Sequence, residues 1–313
     1  MSRRRKHGRH LHGILLLDKA TGCSSNHALQ QVKRLFDARK AGHTGSLDPL
    51  ATGMLPVCFG EATKLSHYLL EADKSYLTGA RLGRTTTTAD AEGEILQERA
   101  IPSSLDLDQL QQIASRFQGE IDQVPPMYSA LKVDGQRLYR LAREGKTVER
   151  KPRRVTIHAI RVLHLEDGLA AIEVQCSKGT YIRSLVEDIG EALGCGAHVE
   201  SLHRTSVSPF EGEPMHSFAS LEAQVAGGSA DALLLPPDAM LTHLPRSVLP
   251  PAMAGLFVHG QAVPADASIA AGVGDCEVSQ VVRVYGPDGL LGIGEQIGER
   301  LKPQRILNYS AVS

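Results

Sequence analysis

The stretch 41-AGHTGSLDPLATGMLPVCFGEATK-64 places one acidic side chain, Asp48, in a run of glycines and prolines, with no second acid before Glu61. Gly42, Gly45, Gly53 and Gly60 open backbone conformations closed to other residues, and Pro49 and Pro56 fix φ. Such a segment is built to hold one shape. His43, Thr44 and Thr52 bracket the carboxylate. On these residues alone two readings stand. Asp48 is either a turn residue, since Asp-Pro favours turns, or the acid of a site.

On the N-terminal side, Gly13–Lys19 (GILLLDK) reads as a strand, and Thr21-Gly22 as a turn. Ser24 or Ser25 then caps a helix over Asn26–Asp37, whose Ala28, Leu29, Val32, Leu35 and Phe36 share one face. On the C-terminal side, Leu55–Phe59 is a short apolar run, and Glu61–Glu71 reads as a helix. Lys74–Leu82 reads as a strand, Gly83–Gly93 with its four threonines as strand or loop, and Glu94–Ile101 as a strand. A helix follows over Asp106–Phe117, broken by Pro125-Pro126. Val155–Leu165 and Leu169–Cys176 form a hairpin about Glu166-Asp167-Gly168. Thr180–Leu193 reads as a helix stopped by Gly194, and Val199–Val207 as a strand. This irregular interleaving predicts an α/β fold of the α+β type, with a mixed, largely antiparallel sheet flanked by helices. Prolines at 236–237, 245 and 250–251 mark a boundary between a domain at 1–246 and a small β-rich module at 247–313. The strands expected in that module are Glu277–Tyr285, Leu290–Glu295 and Arg305–Tyr309.

The chain has 313 residues, 42% hydrophobic and only 4% aromatic, without Trp, so its core is aliphatic. No apolar run approaches the ~20 residues of a membrane span. The basic start MSRRRKHGRH lacks a signal-peptide apolar region, which predicts a cytoplasmic protein. Cys23, Cys58, Cys176, Cys195 and Cys276 form no CxxC pair, so neither a zinc ribbon nor a disulfide framework is indicated. His7, His10 and His12 read as solvated charge in a basic arm rather than a metal tract. The net charge is −1, yet residues 1–12 carry five basic side chains and no acid, and residues 132–154 carry nine against three. Concentrated positive charge on an otherwise acidic body is a footprint for a polyanion. The segment 127–152 is also long for a plain connection, with a helix expected over Gln136–Arg143.

Four motifs and an inserted segment then point one way. AGHTGSLDPLATGMLPVCFGEATK resembles the catalytic loop of the TruB family, the pseudouridine synthases that modify uridine 55 in the T loop of tRNA. GILLLDKATGCSSNHAL and DKSYLTGARLG resemble that family's first motifs. VPPMYSALKVDGQRLYRLAREG resembles its inserted thumb, and CSKGTYIRSLVEDIGEALGCGAHVESLHRTSV its third motif. The match covers residues ~10–210 at motif spacing that one short pattern alone does not reach, and the tail resembles a PUA-type RNA-binding domain.

The resemblance implies that Asp48 is the catalytic aspartate, with Arg183 its partner and Asp90 behind Arg183. Tyr76 is implied at the flipped uracil, with Tyr181 and Leu202 lining the base pocket. His43 meets the T loop, Lys64 contacts phosphate, and Arg137, Arg140 and Arg143 of the thumb grip the backbone. The thumb, 127–152, is expected to be mobile when free and to fold over the RNA. The implied partner is the tRNA T arm, with no cofactor, no metal, no membrane and no obligate protein partner; a monomer is expected. One carboxylate suffices as nucleophile, and attack at C6, attack at C1′ and assistance to a glycal all fit it. One departure stands out: the family's R-T-D-T has Thr87 in place of its acid here. The competing reading is a tRNA-binding chaperone without catalysis, which shares the basic segments and predicts that Asp48→Ala loses nothing.

Overall fold

The computed structural model describes residues 8–129, 131–133, 135–265 and 279–309. The basic arm at 1–7, Cys276 and the start of the strand expected from Glu277 lie outside them. The N-terminal part runs β1 (Gly13–Lys19), α1 (Ser25–Leu35), β2 (Ala41–His43), β3 (Thr52–Phe59), α2 (Ser66–Glu71) and β4 (Lys74–Leu82). A short β5–β6 hairpin (Arg84–Thr86, Ile95–Glu98) leads to α3 (Leu107–Ala114) and β7 (Gly119–Gln123). The basic insertion holds β8 (Lys132–Val133), β9 (Gln136–Arg137) and α4 (Leu138–Arg143). Then come β10 (Arg153–Glu166), β11 (Leu169–Cys176), α5 (Ile182–Leu193), β12 (Ala197–Val207), β13 (His216–Ser217) and α6 (Phe218–Ala226). The C-terminal part is β14 (Arg246–Val248), α7 (Pro251–Val258), β15 (Val263–Pro264), β16 (Gln280–Gly286), β17 (Gly289–Ile297) and β18 (Arg300–Ile306).

The large sheet has the order β13-β1-β3-β12-β4-β11-β10-β7, with β2 beside β3. It is mixed: β1–β13 and β3–β12 are parallel and the other pairs antiparallel. The apolar run of β1 is explained by burial on both faces, which makes a strand read as continuous rather than alternating. Leu15 and Leu17 join Leu55, Val57 and Phe59 of β3 under the helices. Ile14 and Leu16 join Met54 and Cys58 on the opposite face, packed with Tyr285, Leu290, Ile293 and Leu307 of the C-terminal part. The second sheet, β14-β16-β17-β18-β15, thus covers the back of β1 and β3.

Pro56 sits inside β3 without breaking it. Its carbonyl accepts from the Thr44 N–H, so its missing donor also faces that side, between the pairing stretches of β2 (to Val57) and β12 (to Gly53). β4 alternates as a half-buried strand: Lys74, Tyr76, Thr78, Ala80 and Leu82 point inward.

Several elements differ from expectation. The strand expected at Arg305–Tyr309 runs instead as β18, Arg300–Ile306, and the C-terminal module also holds the helix α7. The helix expected over Glu61–Glu71 divides into a 3₁₀ turn at Gly60–Lys64 and the short α2. Thr63 and Ser66 donate to the carbonyls of Gly60 and Thr63, the local competition by which hydroxyl side chains break helices. The helix expected from Gln136 starts at Leu138, because Gln136–Arg137 pair with Lys132–Val133. β7 was not expected at all, since its exposed Glu120 and Asp122 alternate with half-buried Gly119 and Ile121 and buried, polar Gln123 on an edge strand and give no apolar run. No helix among the described residues is long and apolar enough to cross a membrane.

Candidate active site

The Asp48 loop joins β2 to β3 and is tied down from several sides. The Ser25 hydroxyl both donates to the Leu47 carbonyl (3.0 Å) and accepts from the Leu47 N–H (2.7 Å). Lys19, 1% exposed, donates to the carbonyls of Ala20 (2.9 Å), Cys23 (2.8 Å) and Pro49 (3.4 Å). The helix ahead of the loop starts as the sequence suggests, with the Ser24 hydroxyl accepting from the His27 N–H at 3.2 Å.

Arg183 enters from the first turn of α5. Its Nη2 lies 2.9 Å from Asp48 Oδ2 and its Nη1 3.2 Å from Asp90 Oδ2. The same fork donates to the carbonyls of Thr88 (2.9 Å) and Tyr128 (2.7 Å). Four acceptors around one planar guanidinium fix it in place, which a point-charge ammonium cannot reproduce. Arg183 and Asp90 are buried, while the Asp48 side chain keeps 41% of its surface open. Asp90 is held in turn by the Thr88 hydroxyl and the Glu92 N–H. Thr87 accepts the Glu94 N–H at 3.1 Å and stands apart from the Asp90–Arg183 contact.

The open side of Asp48 faces a cleft of about 310 Å³ lined by Tyr76, Tyr181, Arg183 and Leu202 among others. A larger open depression of about 570 Å³ lies over Arg81, Arg84 and His198, and none of the sequence-predicted site residues lines it. Tyr76 reaches the cleft from β4 and Leu202 from β12, on neighbouring strands. Tyr181 sits just ahead of α5, its backbone N–H and C=O clipped to the Gln123 amide at 2.8 and 3.0 Å. Burial pushes the phenols of Tyr76 and Tyr181 up.

Asp48 is pulled both ways. Desolvation raises its pKa and is the largest effect; Arg183 and Lys19 oppose it, while Asp90 adds to it. The net shift is upward from 3.8. If the ionised form reacts, the acid limb of the pH–rate profile falls above pH 3.8, and Arg183→Met moves it further up. Single-turnover rates from pH 4 to 8 check both.

Three sequence-predicted residues stand elsewhere. His43 ends β2 at the foot of the loop and does not line the cleft; its Nδ1 is buried without a hydrogen-bond partner, and burial followed by the Arg204 charge lowers its pKa. Lys64 is engaged at the seam with the C-terminal part: it pairs with Glu61 and donates to the Ile306 carbonyl at 3.0 Å, away from the cleft. In the free chain Lys64 thus ties the Asp48 loop's far end to the C-terminal part, with 33% of its side chain exposed. Of the thumb arginines, the side chain of Arg140 is described and is exposed. The sequence reading also missed Lys74 and Arg204, both buried and both lining the cleft. A signal for them lies in the spacing: each stands two residues from a cleft residue on the same strand, Tyr76 or Leu202, and so on the same face. Among the described residues no group of His, Cys, Asp or Glu is placed to hold a metal.

In overall fold the chain is similar to chains of H/ACA RNP structures. It superposes on a chain of an H/ACA RNP bound to a substrate RNA containing 2′-deoxyuridine (TM-score 0.70, 23% identity, 98% of this chain and 92% of that one). An archaeal box H/ACA sRNP complex gives a TM-score of 0.70 at 22% identity over 100% and 96%. Sequence likeness is far stronger. Residues 33–182 match the TruB family pseudouridylate synthase N-terminal domain, 183–242 the tRNA pseudouridylate synthase B C-terminal domain, and 245–307 the pseudouridine synthase II TruB C-terminal region. The tRNA pseudouridine synthase B of Chromohalobacter salexigens is 51% identical over 313 residues, 99% of each chain. That of Pseudomonas aeruginosa is 51% identical over 304 residues, 96% of this chain and 97% of its own. The chain belongs to the TruB family of pseudouridine synthases.

Proposed function

We propose that this chain isomerises uridine to pseudouridine at position 55 in the T loop of tRNA, with Asp48 as the reacting carboxylate. The observation that carries it is the buried Arg183 fork aiming a half-open Asp48 into a cleft walled by Tyr76, Tyr181 and Leu202. The reaction breaks N1–C1′, turns the base over, forms C5–C1′, takes the proton from C5 and gives one to N1. No electrons leave and no group is added, so the chemistry calls for no cofactor. The uracil must first leave the loop stack, and Tyr76 supplies the aromatic face on which it rests. Leu202 and Tyr181 enclose its edges, and Arg183 keeps Asp48 oriented, itself held by Asp90. His43 stands at the foot of the same loop, where an RNA loop entering the cleft passes it.

The division of labour we propose follows the two sheets: residues 1–246 carry the reaction, with 127–152 as a thumb, and 247–313 form a PUA-like RNA-binding module. The protein works on free tRNA in the cytoplasm as a monomer. Phosphate contacts by the thumb position the RNA, while loop shape and the flipped base specify it. Neutralising Arg137, Arg140 and Arg143 together weakens tRNA binding and flattens its salt dependence, the log–log slope falling by about one for each phosphate left unneutralised. Filter binding at two salt concentrations reads this, and unchanged affinity at both refutes the thumb assignment. The function itself is tested by incubating unmodified tRNA with the enzyme and mapping pseudouridine by mass spectrometry. Product at position 55 is expected; no product, or product only elsewhere, overturns the reading.

A further inference from the structure

Arg204 is the largest fully buried side chain among the described residues, 1% exposed. Its Nε donates to the Met54 carbonyl at 2.7 Å and its Nη2 to the Gly45 carbonyl at 2.8 Å. Among the described residues no carboxylate forms an ion pair with it, in contrast to Arg183 with Asp48 and Asp90. A buried guanidinium without a counter-ion is costly, so a packing role alone is a poor explanation for it.

What it touches is the loop that carries Asp48. Gly45 lies on one side of Asp48 and Met54 on the other, so one side chain fastens both ends of the loop. The backbone of Arg204 pairs with Gly53 in the parallel β3–β12 register. Gly53 has φ +94°, and a Cβ there would collide with the Arg204 carbonyl; Gly45 has φ +64°, and a Cβ there would stand 3.2 Å from Arg204 Nη1. Both glycines thus let the loop close onto this arginine. On its other flank Arg204 stands opposite Tyr76 in the β4–β12 register. Its positive charge opposes the upward push that burial gives the Tyr76 phenol. Both residues line the cleft.

We propose that Arg204 is a positioning residue of the isomerisation, one guanidinium that fastens the Asp48 loop at Gly45 and Met54 from the strand position opposite Tyr76, fixing the carboxylate relative to the phenol and the uracil between them. The proposal rests on the reading of Asp48 and Tyr76 given above. It explains why a cation stands buried with no carboxylate partner among the described residues: its N–H groups are taken up by carbonyls of the loop it shapes.

The test uses the full chain with Arg204→Gln and Arg204→Lys, reading single-turnover pseudouridine formation, tRNA affinity and thermal unfolding. Displacement of reacting groups by about 1 Å costs on the order of 100-fold, so Arg204→Gln is expected to lose ~100-fold in rate while tRNA affinity holds. Lys keeps the charge but not the two-carbonyl fork, and is expected to lose about tenfold. Ile172→Ala, a core lesion on β11, is the control for lost stability and keeps its rate below its melting temperature. Combined with Tyr76→Phe, Arg204→Gln is expected to lose less than the product of the two single losses, because the two residues are cross-strand neighbours in one cleft and act on the same bound base. A wild-type rate in either arginine variant, a rate loss that tracks tRNA affinity, or multiplicative losses in the double variant overturns the proposal. Should the Gln variant not fold, Arg204→Lys decides alone by its rate. Asp48→Asn separates the two levels: activity in that variant sinks the site reading, whereas an inactive Asp48→Asn beside a fully active Arg204→Gln sinks the Arg204 proposal alone.

Discussion

Asp48→Asn makes no detectable pseudouridine at position 55 and still binds tRNA. A side chain that forms and breaks bonds has no substitute in the cleft, and losses for such groups run on the order of 10⁴-fold or more. Binding survives because affinity for RNA resides largely in phosphate contacts, which this residue does not make. The same variant carries a stability signature. The folded pKa of Asp48 is raised above 3.8 by desolvation in spite of Arg183. A carboxyl shifted upward favours its neutral form in the fold, so it opposes folding once pH rises through its unfolded value, and the full penalty stands above its folded value. The amide removes a charge that the fold disfavours. At pH 7 Asp48→Asn is therefore expected to melt no lower than the wild type, and the gap between them closes toward acid pH. Thermal melts at pH 7 and at acid pH read the second effect, and mass spectrometry of treated tRNA the first. Full product from the variant removes Asp48 from the mechanism, and a variant that melts well below the wild type at pH 7 removes the desolvation argument.

Much of this was legible in the sequence because local chemistry and tertiary demand agree. Lys74–Leu82 and Leu169–Cys176 are strands with the bounds the pattern suggested, since alternation along each matches one buried face. Gly194, with φ +82°, ends α5 where a residue free to turn left-handed was expected. The short edge strand β7 was not legible, because an edge with one wet face needs no apolar run. Nor was the contact of Lys64 with the C-terminal part: a lysine beside a glycine-rich loop looks the same whether it faces solvent or a carbonyl 242 residues away. Arg183 was found through the resemblance alone, since a lone arginine in the first turn of a helix is ordinarily solvated. Arg204 was missed for a related reason. Sequence reading expects arginine outside, and only the spacing from Leu202 along β12 argued that it points in.

Arg183→Met is expected to lower both rate and stability, the second large effect. In the fold this guanidinium stands between Asp48 and Asp90 and also takes the carbonyls of Thr88 and Tyr128. Removing it strands Asp90, whose side chain is 4% exposed, as a buried charge without its cation. Breaking a buried pair from one side costs about 3–5 kcal/mol, a large share of the 5–15 kcal/mol that holds a typical domain together. Lysine does not repair it, because one ammonium cannot span four acceptors set around a plane. The rate falls for a separate reason. Asp48 is pushed further up without the opposing charge and loses the bond that aims it, so a loss of ~100-fold is expected even where the protein remains folded. The Tyr128 carbonyl adds a longer-range consequence, since it lies at the root of the segment 127–152; the same substitution frees that end of the thumb from α5. Denaturant unfolding of Arg183→Met beside Arg183→Met/Asp90→Asn separates the causes. Neutralising Asp90 restores most of the lost stability if stranded charge is the cause, and restores little of the rate, because the partner of Asp48 is still missing. Stability unrecovered in the double variant would mean that the carbonyl contacts at Thr88 and Tyr128, rather than charge, make Arg183 structural.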